Sequence, residues 1–174
     1  MNARIVGATE DDLAAVSQLA ASIWRAHYPG IISTEQIEYM LAKMYSIDTL
    51  RDELCVRGIR YDRLLAGGEF AGFASYGVLG DSRSGACNCR TVKLHKLYLH
   101  PNWHGKGLGT LLLQHCERQA RGAGARRLVL TVNKRNSKAI AAYQRNGFAI
   151  VQSVIEDIGG GFVMDDYVME KELT

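Results

Sequence analysis

The residues His104-Gly105-Lys106-Gly107-Leu108-Gly109-Thr110-Leu111-Leu112-Leu113 constrain this chain more than any other stretch. Three glycines alternate with other residues, and an apolar helical run follows at once. Upstream, Lys93 to Leu99 reads as a strand closed by His100-Pro101. The order is strand, tight glycine loop, helix. Glycine lacks the Cβ that would keep a ligand off backbone N–H groups. A helix that starts here leaves its first N–H groups free, and its dipole favours an anion. The loop therefore predicts a phosphate cradle. Its candidate ligand-binding positions are His104, Gly105, Lys106, Gly107, Leu108, Gly109 and Thr110.

Two nucleotide motifs fail on this stretch. A dinucleotide fingerprint, G-x-G-x-x-G, would need a glycine where Thr110 stands, and no acid occurs at Leu128-Val129-Leu130. A P-loop would need a glycine at His100 and a Ser or Thr after Lys106, where Gly107 stands. A third pattern fits: His104-x-x-Gly107-x-Gly109 matches Gln/Arg-x-x-Gly-x-Gly/Ala except at its first position. Alone, so short a motif serves a tight turn as well as a ligand. A second motif follows at Asn136-Ser137-Lys138-Ala139-Ile140-Ala141-Ala142-Tyr143-Gln144-Arg145-Asn146-Gly147-Phe148, after a strand at Leu128 to Val132. It matches Asn-x-x-Ala-x-x-x-Tyr-x-x-x-Gly-Phe. With both motifs in this order, the chain resembles the GNAT superfamily of acyl-CoA-dependent N-acetyltransferases. The resemblance covers roughly Leu79 to the C-terminus; the first third is compatible in pattern only.

The resemblance implies acetyl-CoA as co-substrate and acetyl transfer to a primary amine by direct attack in a ternary complex. The acceptor would be a small-molecule amine, a polyamine or a protein amino group. It implies that the backbone around Leu97, Tyr98 and Leu99 meets pantetheine, with one amide available to a developing oxyanion. It also implies that Tyr143 lies near the CoA sulfur, where its phenol can act as a proton donor to the leaving thiolate. Asn136 would sit on the cofactor side, and it is also a natural helix cap. His104 departs from the family's Gln/Arg, so its side-chain contact is not carried over. Many relatives place a carboxylate base on the strand before the cradle. Here that strand offers Lys93 and His95 and no acid from Cys87 to His100. His95 is the candidate base, acting through water, since its unperturbed pKa of ~6.5 suits a relay. Proton loss to solvent is the alternative.

Charge agrees with a polyanionic cofactor. Between Arg90 and Arg145 stand twelve Lys/Arg and one acid, Glu117. Before that block acids outnumber bases, and after it Lys171 is the one base among six acids. A solvated basic face or a nucleic-acid module are the other readings. The second lacks aromatic interleaving or a reader motif. Glu156, Asp157, Asp165 and Asp166 on the closing strands would favour a cationic acceptor if they line its cleft; an acidic edge that blocks aggregation is the rival role. Of four cysteines, Cys87 and Cys89 form a C-x-C pair without a second cluster, so neither a metal site nor a disulfide framework is expected. No apolar run approaches the ~20 residues of a membrane span, and Met1-Asn2-Ala3-Arg4-Ile5 has no apolar signal core. A cytoplasmic protein, with no membrane or nucleic-acid partner, is the expectation. A homodimer is expected by the prevalence of two-fold oligomers alone.

The periodicities complete an α/β (α+β) reading. Ile5-Val6 predicts a short strand and Thr9 caps a helix whose apolar face is Leu13, Val16, Ala20, Ile23 and Trp24. Ser33 and Gln36 form a capping box for a second helix carrying Ile37, Met40, Leu41 and Met44. A short third helix spans Ser46 to Arg57. His27, Tyr28 and Tyr39 near these helix ends are expected to pack rather than touch substrate. Tyr61–Ala66 and Glu69–Leu79 read as a hairpin, Gly80 to Gly85 as a polar loop and Cys89–Leu99 as a long strand. The cradle helix runs from Gly107 to Ala120, burying Leu108, Leu111, Leu112, His115 and Cys116. Arg126–Val132 is a strand, and Phe148–Ile155 and Phe162–Leu173 close the sheet. The expected product is a single domain, residues 1–174, with a mixed, mostly antiparallel sheet of six to seven strands flanked by helices. A non-catalytic acyl-CoA-binding regulator is the alternative function, motivated by the missing strand carboxylate.

Overall fold

The computed structural model describes residues 2–79 and 90–173. The polar loop at Gly80 to Gly85 and the Cys87/Cys89 pair lie outside the described residues. Strand β1 (Ala3–Gly7) leads to helices α1 (Leu13–His27), α2 (Thr34–Tyr45) and α3 (Ile47–Arg51). The hairpin β2 (Arg60–Ala66) and β3 (Glu69–Val78) follows, then β4 (Arg90–Leu99) and α4 (Leu108–Gly122). The chain continues through β5 (Ala125–Asn133), α5 (Ser137–Arg145), β6 (Ala149–Gly159) and β7 (Phe162–Glu172). The strands hydrogen-bond in the order β1-β2-β3-β4-β5-β7-β6, a mixed and mostly antiparallel sheet.

Two compact units are distinguishable along the chain. One comprises residues 1–77 and 96–115. Its helices bury the apolar face read from the 3.6-residue period, Leu13, Val16, Ala20, Ile23 and Trp24 of α1 with Ile37, Met40 and Leu41 of α2, except that Tyr45 rather than Met44 completes the α2 face. Thr9 N donates to Asp12 Oδ2 (2.9 Å) and Ser33 Oγ accepts from Gln36 N (3.1 Å), so both predicted helix starts are capped. β2 pairs antiparallel with β1 and β3. An aromatic cluster of Trp24, Tyr28, Tyr45, Phe73 and Tyr98 fills the centre, with ring separations of 4.3 to 6.4 Å. Gly72 sits where a Cβ would lie 2.4 Å from Tyr98 O and 3.0 Å from the Leu99 side chain. Gly72→Ala must therefore displace the end of β4. We expect it to cost about 1–3 kcal/mol in urea unfolding and to weaken acetyl-CoA binding with it. Wild-type affinity in the variant would separate Tyr98 and Leu99 from the cofactor.

The third helix differs from its prediction. α3 ends at Arg51, and Asp52–Val56 is a π-helical turn in which Arg57 N donates to Asp52 O (2.9 Å). The wider turn accompanies an inward Glu53, 8% exposed, although charged residues are almost never buried unless paired. Its partners are Lys96 Nζ and the Tyr61 hydroxyl, which both donate to Glu53 Oε2. Lys96 also donates to Tyr61 OH (2.8 Å) and lies over the Tyr45 and Tyr61 rings. Burial holds the Lys96 ammonium below its usual range despite Glu53, and burial and then Glu53 push the Tyr61 phenol up. Lys96 thus leaves the basic block that the sequence suggested would face a polyanion.

The other unit comprises residues 78–95 and 116–174. β4 pairs parallel with β5 from Arg90 to Lys93, while β7 pairs antiparallel with both β5 and β6. Leu128, Leu130 and Met169 are its buried centre. Lys171 Nζ donates to buried Glu117 Oε1 (2.7 Å), the one acid of the basic block.

Candidate active site

In the first unit, β4 ends at Leu99 and a short 3₁₀ turn, Pro101–Trp103, leads into the glycine loop. Gly105 and Gly107 have φ of 72° and 77°, a region that side chains other than glycine rarely adopt. A Cβ at Gly105, Gly107 or Gly109 would meet nothing within 4 Å. Packing therefore does not require these glycines. Backbone conformation does at the first two, and all three leave open space above the loop. Leu111 N donates to Gly107 O (3.0 Å), so the helix begins at the cradle and its first-turn amides face the loop end. The loop fits a phosphate-bearing cofactor such as CoA: exposed glycine backbone, a helix N-terminus and Lys106 beside it.

The side chains around the cradle mostly hold the loop itself. His104 Nε2–H donates to Leu99 O (2.8 Å), tying the loop back to the strand end. This is what histidine does at the position where the family motif has Gln/Arg. Lys106 Nζ donates to Asn102 O (3.0 Å) and lies 4.6 Å over the Trp103 ring. Leu97 and Leu99 are half-buried, whereas the Tyr98 ring belongs to the aromatic cluster and its hydroxyl lies 3.4 Å from that of Tyr28. Tyr28 itself is buried against Trp24, as expected of a packing residue. Leu97 to Leu99 and His104 to Thr110 are thus brought together in one unit.

His115, read from sequence as simple helix packing, has a polar partner. Its Nε2 lies 2.7 Å from Asp62 Oδ2, which also accepts from Tyr76 OH (2.6 Å). Leu113 rather than Leu111 is fully buried on α4, so the helix is rotated slightly from the predicted face.

The second unit carries His95, Asn136 and Tyr143. His95 is half-buried on β4, on the same strand face as Lys93. Asn136 is 6% exposed, and its Oδ1 caps α5 by accepting from Ala139 N (3.3 Å). Tyr143 projects from α5 with its ring 5.8 Å from that of Phe148, and Phe148 N donates to Tyr143 O (3.1 Å). Burial, with a smaller effect of Cys116, pushes the Tyr143 phenol up to about 12. The hydroxyl therefore stays protonated, and a donor, at any ordinary working pH.

One of the four acids read from the closing strands stands apart from the other three. Asp166 lies on β7 opposite Asn133 of β5 and Val154 of β6. Its Oδ1 is buried and has no hydrogen-bond partner. Burial first, then Asp165 and Glu156, raise its carboxyl to about 6, against the pull of Lys93 and Lys134. Asp165 is paired to Lys134. A carboxylate tuned toward neutrality, with an unsatisfied oxygen, is a proton acceptor in waiting. The legible signal was its strand alternation, Met164-x-Asp166-x-Val168, an acid on an otherwise apolar face. Among the described residues no group of three or more His, Cys, Asp or Glu could hold a metal. No helix among them is long and apolar enough to cross a membrane.

Comparison with known proteins agrees with both motifs. The family model described as the acetyltransferase (GNAT) family matches residues 16–148. A spermidine N(1)-acetyltransferase of Thermoplasma acidophilum is 28% identical over 93% of this chain and 92% of its own. A crystal structure of a PaiA N-acetyltransferase from Thermoplasma acidophilum in complex with coenzyme A superposes with a TM-score of 0.80. It is 27% identical and covers 99% of both chains. A Salmonella typhimurium protein solved with its cofactor acetyl-CoA is 25% identical, with a TM-score of 0.64 over 100% of this chain and 95% of that one. With two motifs on their proper elements and the family model spanning most of its length, the chain belongs to the acetyltransferase (GNAT) family, as an acetyl-CoA-dependent N-acetyltransferase.

Proposed function

We propose that residues 1–174 act as one N-acetyltransferase domain that acetylates a primary amine of a cationic small molecule of the polyamine type. The observation that carries the acceptor class is Asp166, a carboxylate with a buried, unpartnered oxygen beside Asp165 and Glu156. The spermidine N(1)-acetyltransferase relative supports the same class. We assign a cytoplasmic setting, in which free thiols such as Cys55 and Cys116 stay reduced.

When bound, acetyl-CoA supplies the activated thioester. The amides from Gly105 to Thr110 would hold its phosphates, and the backbone from Leu97 to Leu99 would align its pantetheine arm. One strand amide would stabilise negative charge on the carbonyl oxygen. Asn136 fixes the start of the helix that carries Tyr143. The Tyr143 phenol donates to the leaving sulfur. Asp166 attracts the acceptor's ammonium and takes its proton, because an ammonium has no lone pair to attack with. His95 is the second candidate for that proton, through water.

The cofactor reading is tested by calorimetric titration of acetyl-CoA and of dephospho-CoA. Binding of acetyl-CoA that weakens without the ribose phosphate supports the cradle and the basic block. No binding returns the glycine loop to a structural turn.

The acceptor reading is tested by Asp166→Asn. We expect kcat/KM for spermidine to fall about 10²-fold or more and its acid limb near pH 6 to disappear. Unchanged KM for every amine in Asp165→Asn/Asp166→Asn would remove the acids from the acceptor's path. The same variant has a stability signature. The folded pKa of about 6 lies above the ordinary aspartate value of 3.8. The favourable contribution of Asp166 is therefore complete below the unfolded pKa and is lost as pH rises through about 6. Near neutrality the ionised carboxylate burdens the fold. Asp166→Asn should raise stability there by about 1 kcal/mol, discounted for partial exposure. The gain should vanish below about pH 4. A variant that is more stable yet less active marks a residue retained for function.

A further inference from the structure

Lysines in this structure are held in two ways. Lys96, Lys134 and Lys171 each pair with a carboxylate, that of Glu53, Asp165 and Glu117 respectively. Their charge is cancelled within the protein. Lys106 is held by neutral groups instead. Its Nζ donates to Asn102 O (3.0 Å) and lies 4.6 Å from the centre of the Trp103 ring. Neither group is ionised, so the ammonium is oriented yet keeps its net charge. An ammonium has three protons, and the one given to Asn102 O leaves donors for an anion. Trp103 is fixed in its turn. It is half-buried, and a Cβ at Gly67, in the turn between β2 and β3, would stand only 3.3 Å from its Cη2. The tip of the indole therefore rests on that turn. The backbone beside it is closed as well. Trp103 N donates to His100 O (2.9 Å), His104 N to Pro101 O (3.0 Å) and Asn102 N to His100 Nδ1 (3.3 Å). All of these residues belong to the first unit.

We propose that Trp103 is a positioning residue for the cofactor: seated on the Gly67 turn, its indole holds the Lys106 ammonium beside the glycine loop, ready for a phosphate. The inference rests on the reading of that loop as the phosphate cradle. Its physical basis is preorganisation. An exposed lysine has a long flexible stem, and a free one must be ordered when it meets an anion. The π-face of an indole attracts a cation without neutralising it. Lys106 is thus ordered before the ligand arrives, and by partners that do not compete for its charge. A carboxylate in place of Trp103 would hold the lysine as firmly and cancel it. Trp103 acts through Lys106 and carries no charge of its own, so its effect on the cofactor depends on that lysine.

Calorimetric titration of acetyl-CoA into the full chain, the two single variants and the double variant tests this dependence. Lys106→Met should weaken binding at least about tenfold, as the loss of a charged hydrogen bond does. Trp103→Leu keeps an apolar side chain on the Gly67 turn and removes the π-face. It should weaken binding about fivefold, the hold of an indole on an exposed cation. In the Lys106→Met background the same change should cost less than about twofold, because there is no cation left to place. The Trp103→Leu loss should also fade as sodium chloride rises from about 0.05 to about 0.5 M, since salt screens an exposed charge. Lost packing alone would not respond in that way. Losses that multiply in the double variant, or a Trp103→Leu loss that persists at high salt, make Trp103 a packing residue and overturn the inference. Wild-type affinity in Trp103→Leu overturns it equally. In each of these cases the wild type still binds, and the cradle reading stands. A wild type that binds no acetyl-CoA removes both together.

Discussion

Tyr143→Phe is expected to lower kcat by about 10²–10⁴-fold while acetyl-CoA affinity stays close to wild type. The phenol is held neutral by burial, with its pKa pushed up to about 12, so it is a donor throughout the working range. Phenylalanine keeps the packing against Phe148, whose ring lies 5.8 Å away, and removes only the hydroxyl. An equal fall in kcat and kcat/KM would mean that the interaction is made in the transition state alone. The same raised pKa predicts that Tyr143 causes no alkaline limb in the rate profile before about pH 12. An alkaline limb in the wild type that disappears in Tyr143→Phe would contradict this. Steady-state rates with spermidine, paired with calorimetry of acetyl-CoA, decide the matter. Unchanged kcat would make Tyr143 a packing residue. Absence of turnover in the wild type, with binding intact, would favour the non-catalytic acyl-CoA binder instead.

Glu53→Ala should cost about 3–5 kcal/mol, a large part of the roughly 5–15 kcal/mol that holds a domain folded. Its partner Lys96 is 3% exposed and would be left as a buried cation whose pKa is already lowered by burial. Tyr61, 2% exposed, would lose the acceptor of its hydroxyl. Restoring an apolar pair tests whether the loss comes from the stranded charge. Glu53→Leu/Lys96→Met should recover most of it, since buried ion pairs rarely outperform well-packed hydrophobic replacements. Equilibrium urea unfolding of wild type, single and double variants gives the comparison. A cost below about 1 kcal/mol for Glu53→Ala would mean that water reaches the pair. Lys96 precedes Leu97 on β4, so the double variant also reports whether this pair aligns the strand proposed to meet pantetheine. Refolded stability with weakened acetyl-CoA binding would show that it does.

Much of the architecture was legible because local signals and global fold agree. The glycine alternation from Gly105 to Gly109 predicted a tight turn between strand and helix, and two of those glycines hold the positive φ that the turn requires. Asn136 and Ser33 cap the helices they were expected to cap. The apolar period of α1 named its five buried residues. The departures at Lys96 and His115 share one cause. Charge in a sequence carries no label for where its partner is. Lys96 was counted with the basic block, yet it is neutralised inside the protein by Glu53, 43 positions away. His115 likewise meets Asp62 across 53 positions.

The order of motifs and their periodicities determined the family, the cofactor class and the elements that carry each candidate residue. Hydrogen-bond geometry and hydropathy act over a few residues, so a single sequence suffices to express them. Only the tertiary structure decided the chemistry available to the charged groups. It buried one oxygen of Asp166 without a partner, turned Glu53 inward on a π-helical turn, and shifted the register of β6 between Ile150 and Gln152. The pKa of a carboxyl and the facing of a bulged strand depend on neighbours brought close by folding, since desolvation and Coulomb interactions follow distance in space and not along the chain.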